Sequence, residues 1–148
     1  MRLSAKGRYA LAATTSMAQY HSNNEYITLI SISEKLGISK IYLEQVFSLL
    51  KHGGIVNSIK GSQGGYQLSA VPHQISAYDI LSAVETSLFE KTEETIKEKA
   101  PDIETAMNHT IFDQLDSAIK TTLQKITLAD LVNEAEKHKG GEGFMFFI

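Results

Sequence analysis

Cysteine is absent from the 148-residue chain. Its absence excludes disulfides and metal clusters held by thiolates, and it leaves no cysteine nucleophile. Long hydrophobic runs are absent too: no apolar stretch approaches the roughly 18 residues that a membrane-spanning helix needs. The opening MRLSAKGRYALAATT has no long apolar run and no evident cleavage site, so a cytoplasmic location is the expectation. Catalytic signatures are missing as well, with no GxSxG, HExxH or Walker loop. GSQGG resembles a phosphate loop only loosely, because it joins strand to strand rather than strand to helix. The histidines (His21, His52, His73, His109 and His138) show no ligand spacing. The expectation is a chain that is not an enzyme and carries no metal and no cofactor.

What the chain does have is polarised charge. The net value of −3 hides a split. Residues 1–70 carry seven Lys or Arg against three Asp or Glu, whereas residues 71–148 carry seven Lys against fourteen Asp or Glu. A basic half suits a polyanionic partner, and an acidic half avoids it. Hydrophobic residues make up 43% of the chain, enough for the core of one compact domain with an appended helical arm.

The basic half is also the patterned half. A helix is predicted from about Ser4 to Tyr20, capped by Ser4, with Tyr9, Ala10, Ala13 and Met17 on its buried face. HSNNEY reads as a loop. A second helix covers roughly Leu29 to Leu36, with Ile32 and Leu36 inward, and Gly37 ends it in the left-handed conformation that glycine takes cheaply. Ser39 then caps a third helix reaching about His52. Its Leu43, Val46, Phe47 and Leu50 recur at i, i+3, i+4 and i+7. Two helices about a tight glycine turn form a helix-turn-helix. Ile55–Ile59 and Tyr66–Ser69 alternate like strands, joined by the glycine-rich Lys60–Gly65. The sum is a winged helix.

A helix fits the major groove of B-DNA, where each base pair presents a distinct donor and acceptor pattern. A narrow hairpin fits the minor groove or lies along phosphates. The third helix leaves Lys40, Glu44, Gln45, Ser48 and His52 on a polar face, with Ile41 and Tyr42 at its exposed first turn. Lys40, Lys51, Lys60, Arg2, Lys6 and Arg8 are candidate phosphate contacts, which position a protein without choosing a sequence. Lys60 leads the wing tip, which Gly61, Ser62, Gln63 and Gly64 complete. A winged domain used for protein contacts is the competing reading.

After the wing, Ser76 caps a short helix with Ile80, Leu81 and Val84 inward. KTEETIKEKAPD reads as a solvated linker or frayed helix. From Ile103 a long helix is predicted. Its apolar positions Ile103, Met107, Ile111, Leu115, Ile119 and Leu123 step by four, drifting about 40° per step. Such a stripe can touch both its own domain and a second subunit, and these residues are the candidate dimer interface. The fold class expected is α+β, mainly helical: a winged helix-turn-helix domain over 1–84, then a linker, long dimerisation helix and tail over 85–148. In that tail, Phe144 to Ile148 follow a glycine stretch read as flexible. They either fold back into the protein or await a partner.

MRLSAKGRYAL, YLEQVF, GGIVNSIKGSQGGYQLS and ISAYDILSAVE together resemble the Rrf2 family of bacterial transcription regulators, over essentially the whole chain. The resemblance implies a homodimeric winged-helix regulator, a repressor, bound to double-stranded DNA at an imperfect inverted repeat. By position in the family motif, Ser39, Ile41, Tyr42, Glu44 and Gln45 are the candidates to meet base edges; Tyr42 could equally be buried beneath the helix. Several members hold an iron–sulfur cluster on three cysteines after the fourth helix. Here that segment is SLFEKTEETIKEKAPDIETAMNHTIF, without cysteine, and His109 alone cannot hold a cluster. SAKGRY, YLEQ, IKGSQGGY, TLADL and the tail GEGFMFFI resemble a branch of the family that represses cysteine and sulfur metabolism. That branch implies cysteine synthase (O-acetylserine sulfhydrylase) as a partner, contacted through Phe146, Phe147 and Ile148. An aliphatic Ile148 with a free carboxylate would fit a site built for an amino-acid substrate.

Overall fold

The computed structural model describes residues 3–20, 25–60 and 64–145, with 140–145 described by backbone alone. Helix α1 (Ala5–Ala18) begins where the Ser4 hydroxyl oxygen accepts from the Gly7 N–H at 3.2 Å, satisfying a donor the helix itself cannot pair. Ala10, Ala13 and Met17 form its buried face, while Tyr9 is half-buried. Helix α2 (Leu29–Leu36) is capped by Thr28 and closed by Gly37 at φ 68°. Helix α3 (Lys40–His52) is capped by Ser39, whose side chain accepts from the Tyr42 N–H. The turn between them is pinned by buried Ile38 and by the Ser33 hydroxyl, which donates to the Ile38 carbonyl at 2.6 Å.

Leu43, Val46, Phe47 and Leu50 of α3 are fully buried. With Met17, Ile32 and Ile80 they form the centre of the core. Strands β1 (Val56–Ile59) and β2 (Gly65–Leu68) pair antiparallel, Val56 opposite Leu68 and Ile59 opposite Gly65. Against the sequence expectation, β1 starts one residue later and ends as expected, and β2 lies one residue earlier. Two such short strands are marginal alone. Here Ile55, Val56 and Leu68 enter the core, and Ile27 adds a bridge to Tyr66 along the free edge.

Helix α4 (Ala77–Val84) carries a reciprocal cap between Ser76 and Asp79, and buries Ala77, Ile80, Leu81 and Val84. Residues 85–100 form no regular element. Glu104 anchors the middle of this segment: its buried carboxylate accepts from the Thr95 N–H at 3.0 Å. The expected long helix is present, but divided: α5 (Pro101–Met107), one wider π-helical turn (Asn108–Phe112) and α6 (Asp113–Lys125). The extra residue in a π-turn takes back part of the drift that steps of four accumulate, so the apolar stripe stays on one side longer. Lys120 of α6 lies over the Tyr78 ring of α4, 5.6 Å from its centroid, and Phe89 meets that ring edge-on.

The chain then returns to the winged domain. Ala77 N–H donates to the Ile126 carbonyl and Leu128 N–H to the Ile75 carbonyl, at 2.7 and 2.9 Å. Leu128 is thereby dropped, fully buried, into the core. Helix α7 (Leu128–Met145) follows, opened by a reciprocal Thr127–Asp130 cap. It corrects the reading of the glycines as a flexible stretch: the helix runs through Gly140, Gly141 and Gly143. Each glycine costs about 1 kcal/mol in a helix interior, but a helix already nucleated extends one bond at a time. Residues 146–148, the expected partner-binding tail, lie outside the described residues.

Candidate nucleic-acid interface

The site is built on α3. Ser39 holds the helix start, so the first turn projects beyond the core-facing residues. Ile41 is 73% exposed, and Glu44, Gln45, Ser48 and His52 are exposed with it. An isoleucine that open is unusual on a packed helix. Lys40 and Glu44 pair at 3.8 Å across one turn, both half in solvent. Tyr42 is half-buried and packs edge-on against Tyr9 of α1, ring centroids 5.1 Å apart. It therefore props α3 against α1.

Two open grooves flank this face. One, of about 560 Å³, is lined by Lys6 of α1 and by Ile41, Glu44, Gln45, Ser48 and Leu49 of α3. It brings Lys6 and the expected base-reading residues together. The other, of about 400 Å³, lies between the wing base and the start of α2 and is lined by Thr28, Leu29, Ile30, Lys40, Gly64, Gly65 and Tyr66. It joins Lys40 to the wing. Lys60 is exposed at the end of β1, and Arg8 is exposed on α1. Arg2, Gly61, Ser62 and Gln63 lie outside the described residues.

The wing base is fixed from behind. Ile27 and Tyr66 exchange two backbone hydrogen bonds, each 2.8 Å. Tyr66 packs on buried Phe47, ring centroids 4.8 Å apart. Sequence reasoning passed over Thr28, Ile30 and Tyr66 as members of this surface. An apolar residue off the buried face, 53% exposed as Ile30 is, was the available signal.

Along α5, the π-turn and α6, Ile103, Ile111 and Leu115 are 53%, 47% and 55% exposed. Met107, Ile119 and Leu123 are half-buried along the same helical run. Among the described residues, Ile103, Ile111 and Leu115 thus leave an apolar band uncovered, with the half-buried Met107, Ile119 and Leu123 on the same run. In the preceding segment, the Glu94 carboxylate hydrogen-bonds Lys97 at 2.9 Å and raises the pKa of that exposed ammonium.

A helix-turn-helix with a two-stranded wing and a basic N-terminal half defines a winged-helix DNA-binding regulator. Residues 3–134 match the Rrf2 family, described as "Iron-dependent Transcriptional regulator", and the chain belongs to that family. It is 40% identical over 136 residues to the HTH-type transcriptional regulator IscR of Erwinia tasmaniensis, covering 92% of this chain and 81% of that protein. Among solved structures it is similar to CymR, the global cysteine regulator of B. subtilis. The TM-score is 0.72 at 32% identity, over 90% of this chain and 98% of that one. It is also similar to T. potens IscR, with a TM-score of 0.73 at 31% identity, over 99% of this chain and 96% of that one.

Iron in this family raises a question of donors. The residues present do not fit a thiolate-held cluster. Cysteine is absent, and no three His, Asp or Glu side chains converge on one point among the described residues. His109 sits exposed on the π-turn. No helix among the described residues is long and apolar enough to cross a membrane.

Proposed function

We propose that the chain acts in the cytoplasm as a non-catalytic, homodimeric repressor that reads an imperfect inverted repeat in double-stranded DNA. In this reading α3 enters the major groove through Ser39, Ile41, Glu44 and Gln45. The wing follows the adjacent minor groove or its phosphates, and Lys6, Arg8, Lys40 and Lys60 hold the backbone. The observation that carries it is the shared surface of Lys6, Ile41, Glu44 and Gln45: a cation, an apolar group, a carboxylate and an amide on one exposed helix face. Homodimerisation is carried by the uncovered band of Ile103, Ile111 and Leu115. Two copies joined there would present two recognition helices, and a two-fold protein calls for a two-fold site.

We further propose that the regulated genes serve cysteine and sulfur metabolism and that cysteine synthase is the signalling partner, met through Phe146, Phe147 and Ile148. Similarity to the global cysteine regulator and the absence of cluster ligands support this. Control of another pathway is the second reading, favoured by the 40% identity to an IscR. Genome-wide binding sites, followed by gel shift with and without purified cysteine synthase, separate the two. Sites upstream of sulfur-assimilation genes and a shift sharpened by the enzyme support the first. Sites elsewhere and no effect of the enzyme refute it.

A further inference from the structure

Glu85 stands at the C-terminal end of α4, its backbone N–H bound to the Leu81 carbonyl at 2.7 Å, yet its side chain serves α1. The Ser4 N–H donates to Glu85 Oε1 at 3.0 Å, and the Ser4 hydroxyl donates to the same oxygen. Ser4 Oγ in turn accepts from the Gly7 N–H. The chain of contacts therefore runs from α4 through Glu85 and Ser4 to the first turn of α1. Glu85 is only 7% exposed. Position 7 makes room for it: a Cβ there would collide with the Glu85 carboxylate. The carboxylate also lies at the positive end of the α1 dipole, where a negative charge is favoured.

Lys6 belongs to that first turn, between Ser4 and Gly7, and it lines the groove beside Ile41, Glu44 and Gln45. We propose that Glu85 is a positioning residue for DNA binding: it fixes the start of α1 so that Lys6 stands beside the recognition helix. The proposal rests on the DNA-binding reading above. Glu85 touches no DNA in it. Glu85 also opens segment 85–100, so in this proposal a movement of that segment that displaced the Glu85 carboxylate would reach Lys6 through Ser4.

The test is anisotropy titration of a duplex selected from a random pool by the wild-type protein. It is repeated over a salt series at a temperature where circular dichroism shows every variant folded. Each phosphate contact contributes about 0.9 to the slope of log K against log salt. Glu85→Ala should weaken binding roughly tenfold and lower the slope by about one, as expected for a lost phosphate contact. Gly7→Ala should do the same by displacing the carboxylate. Gly7→Ala with Glu85→Ala should be no worse than either alone, since both act on one contact. Glu85→Gln keeps an oxygen that accepts both Ser4 bonds and should recover most of the affinity and the slope. A folding defect alone lowers affinity at constant slope, so an unchanged slope in Glu85→Ala overturns the proposal. Additive losses in the double variant overturn it equally. If the wild-type protein selects no duplex, the DNA-binding reading itself fails.

Discussion

Replacing Gly65 by alanine tests how the wing is aimed. Gly65 closes the β1–β2 ladder opposite Ile59 and is buried. A Cβ there would lie 2.9 Å from the Ile27 carbonyl oxygen and 3.2 Å from the Tyr26 Cβ. Neither neighbour can swing aside as a long side chain would, so residues 26–27 and β2 must separate. At stake are the two reciprocal Ile27–Tyr66 hydrogen bonds, both 2.8 Å, and the Phe47–Tyr66 ring contact. A hydrogen bond is worth about 1 kcal/mol net and an aromatic pair about 0.5–1.5 kcal/mol. Partial loss of the set therefore costs about 1–3 kcal/mol. Urea unfolding should show a lower midpoint at unchanged slope, the mark of lost stability rather than a changed unfolded state. DNA affinity, measured below the transition, should fall as well, because the wing no longer sits where Lys40 and Gly64 share a groove. A Gly65→Ala protein with the wild-type midpoint and wild-type affinity would refute this account of the wing.

Gln45→Ala should cost about 1–3 kcal/mol on the preferred duplex and relax specificity at one base position, read by competition with single-base variants. Lys60→Ala should weaken binding to all sequences alike and lower the salt slope by about one; a loss that tracks A·T content would instead put Lys60 in the minor groove. Leu115→Glu places a charge in the uncovered band and should yield a folded monomer by analytical ultracentrifugation; a stable dimer would move the interface elsewhere. Anaerobic reconstitution with iron and sulfide should give no cluster absorption, and His109→Ala should leave DNA binding nearly unchanged.

The helices of the winged domain were legible because their signals are local. Gly37, Ser39 and the Leu43–Val46–Phe47–Leu50 face each act within a turn or two, and the structure places each as read. The Ser4 cap was legible for the same reason. What holds the Ser4 cap was not: Glu85 lies 81 residues away, and no periodicity links them. Gly65 read only as the end of the glycine-rich connection between the strands. Its actual constraint, the carbonyl of Ile27, comes from another segment. The π-turn was hidden because steps of four fit an ordinary helix with drift as well as a wider turn without it. The course of α7 through three glycines was missed because propensity argued against it. The Thr127–Asp130 cap and the burial of Leu128 outweigh propensity by starting the helix on the core.

On the proposed docking, the ion pair between Lys40 and Glu44 bears on how this surface chooses its site. The two side chains are 52% and 55% exposed at 3.8 Å, and such pairs are worth about 0–1 kcal/mol. A phosphate approaching Lys40 can therefore break the pair at little cost. That frees the ammonium for the backbone and leaves the Glu44 carboxylate facing base edges. A carboxylate there accepts from a cytosine amino group and is repelled where only acceptors are offered. Attraction by Lys40 is the same on every sequence, whereas the penalty at Glu44 is not. The pair thus couples a uniform gain to a selective cost, which is how specificity is built without raising affinity everywhere. A chain of net charge −3 with its cations gathered in the first 70 residues gains from this. Its general pull on DNA is modest, so a single misplaced carboxylate weighs heavily against the wrong site.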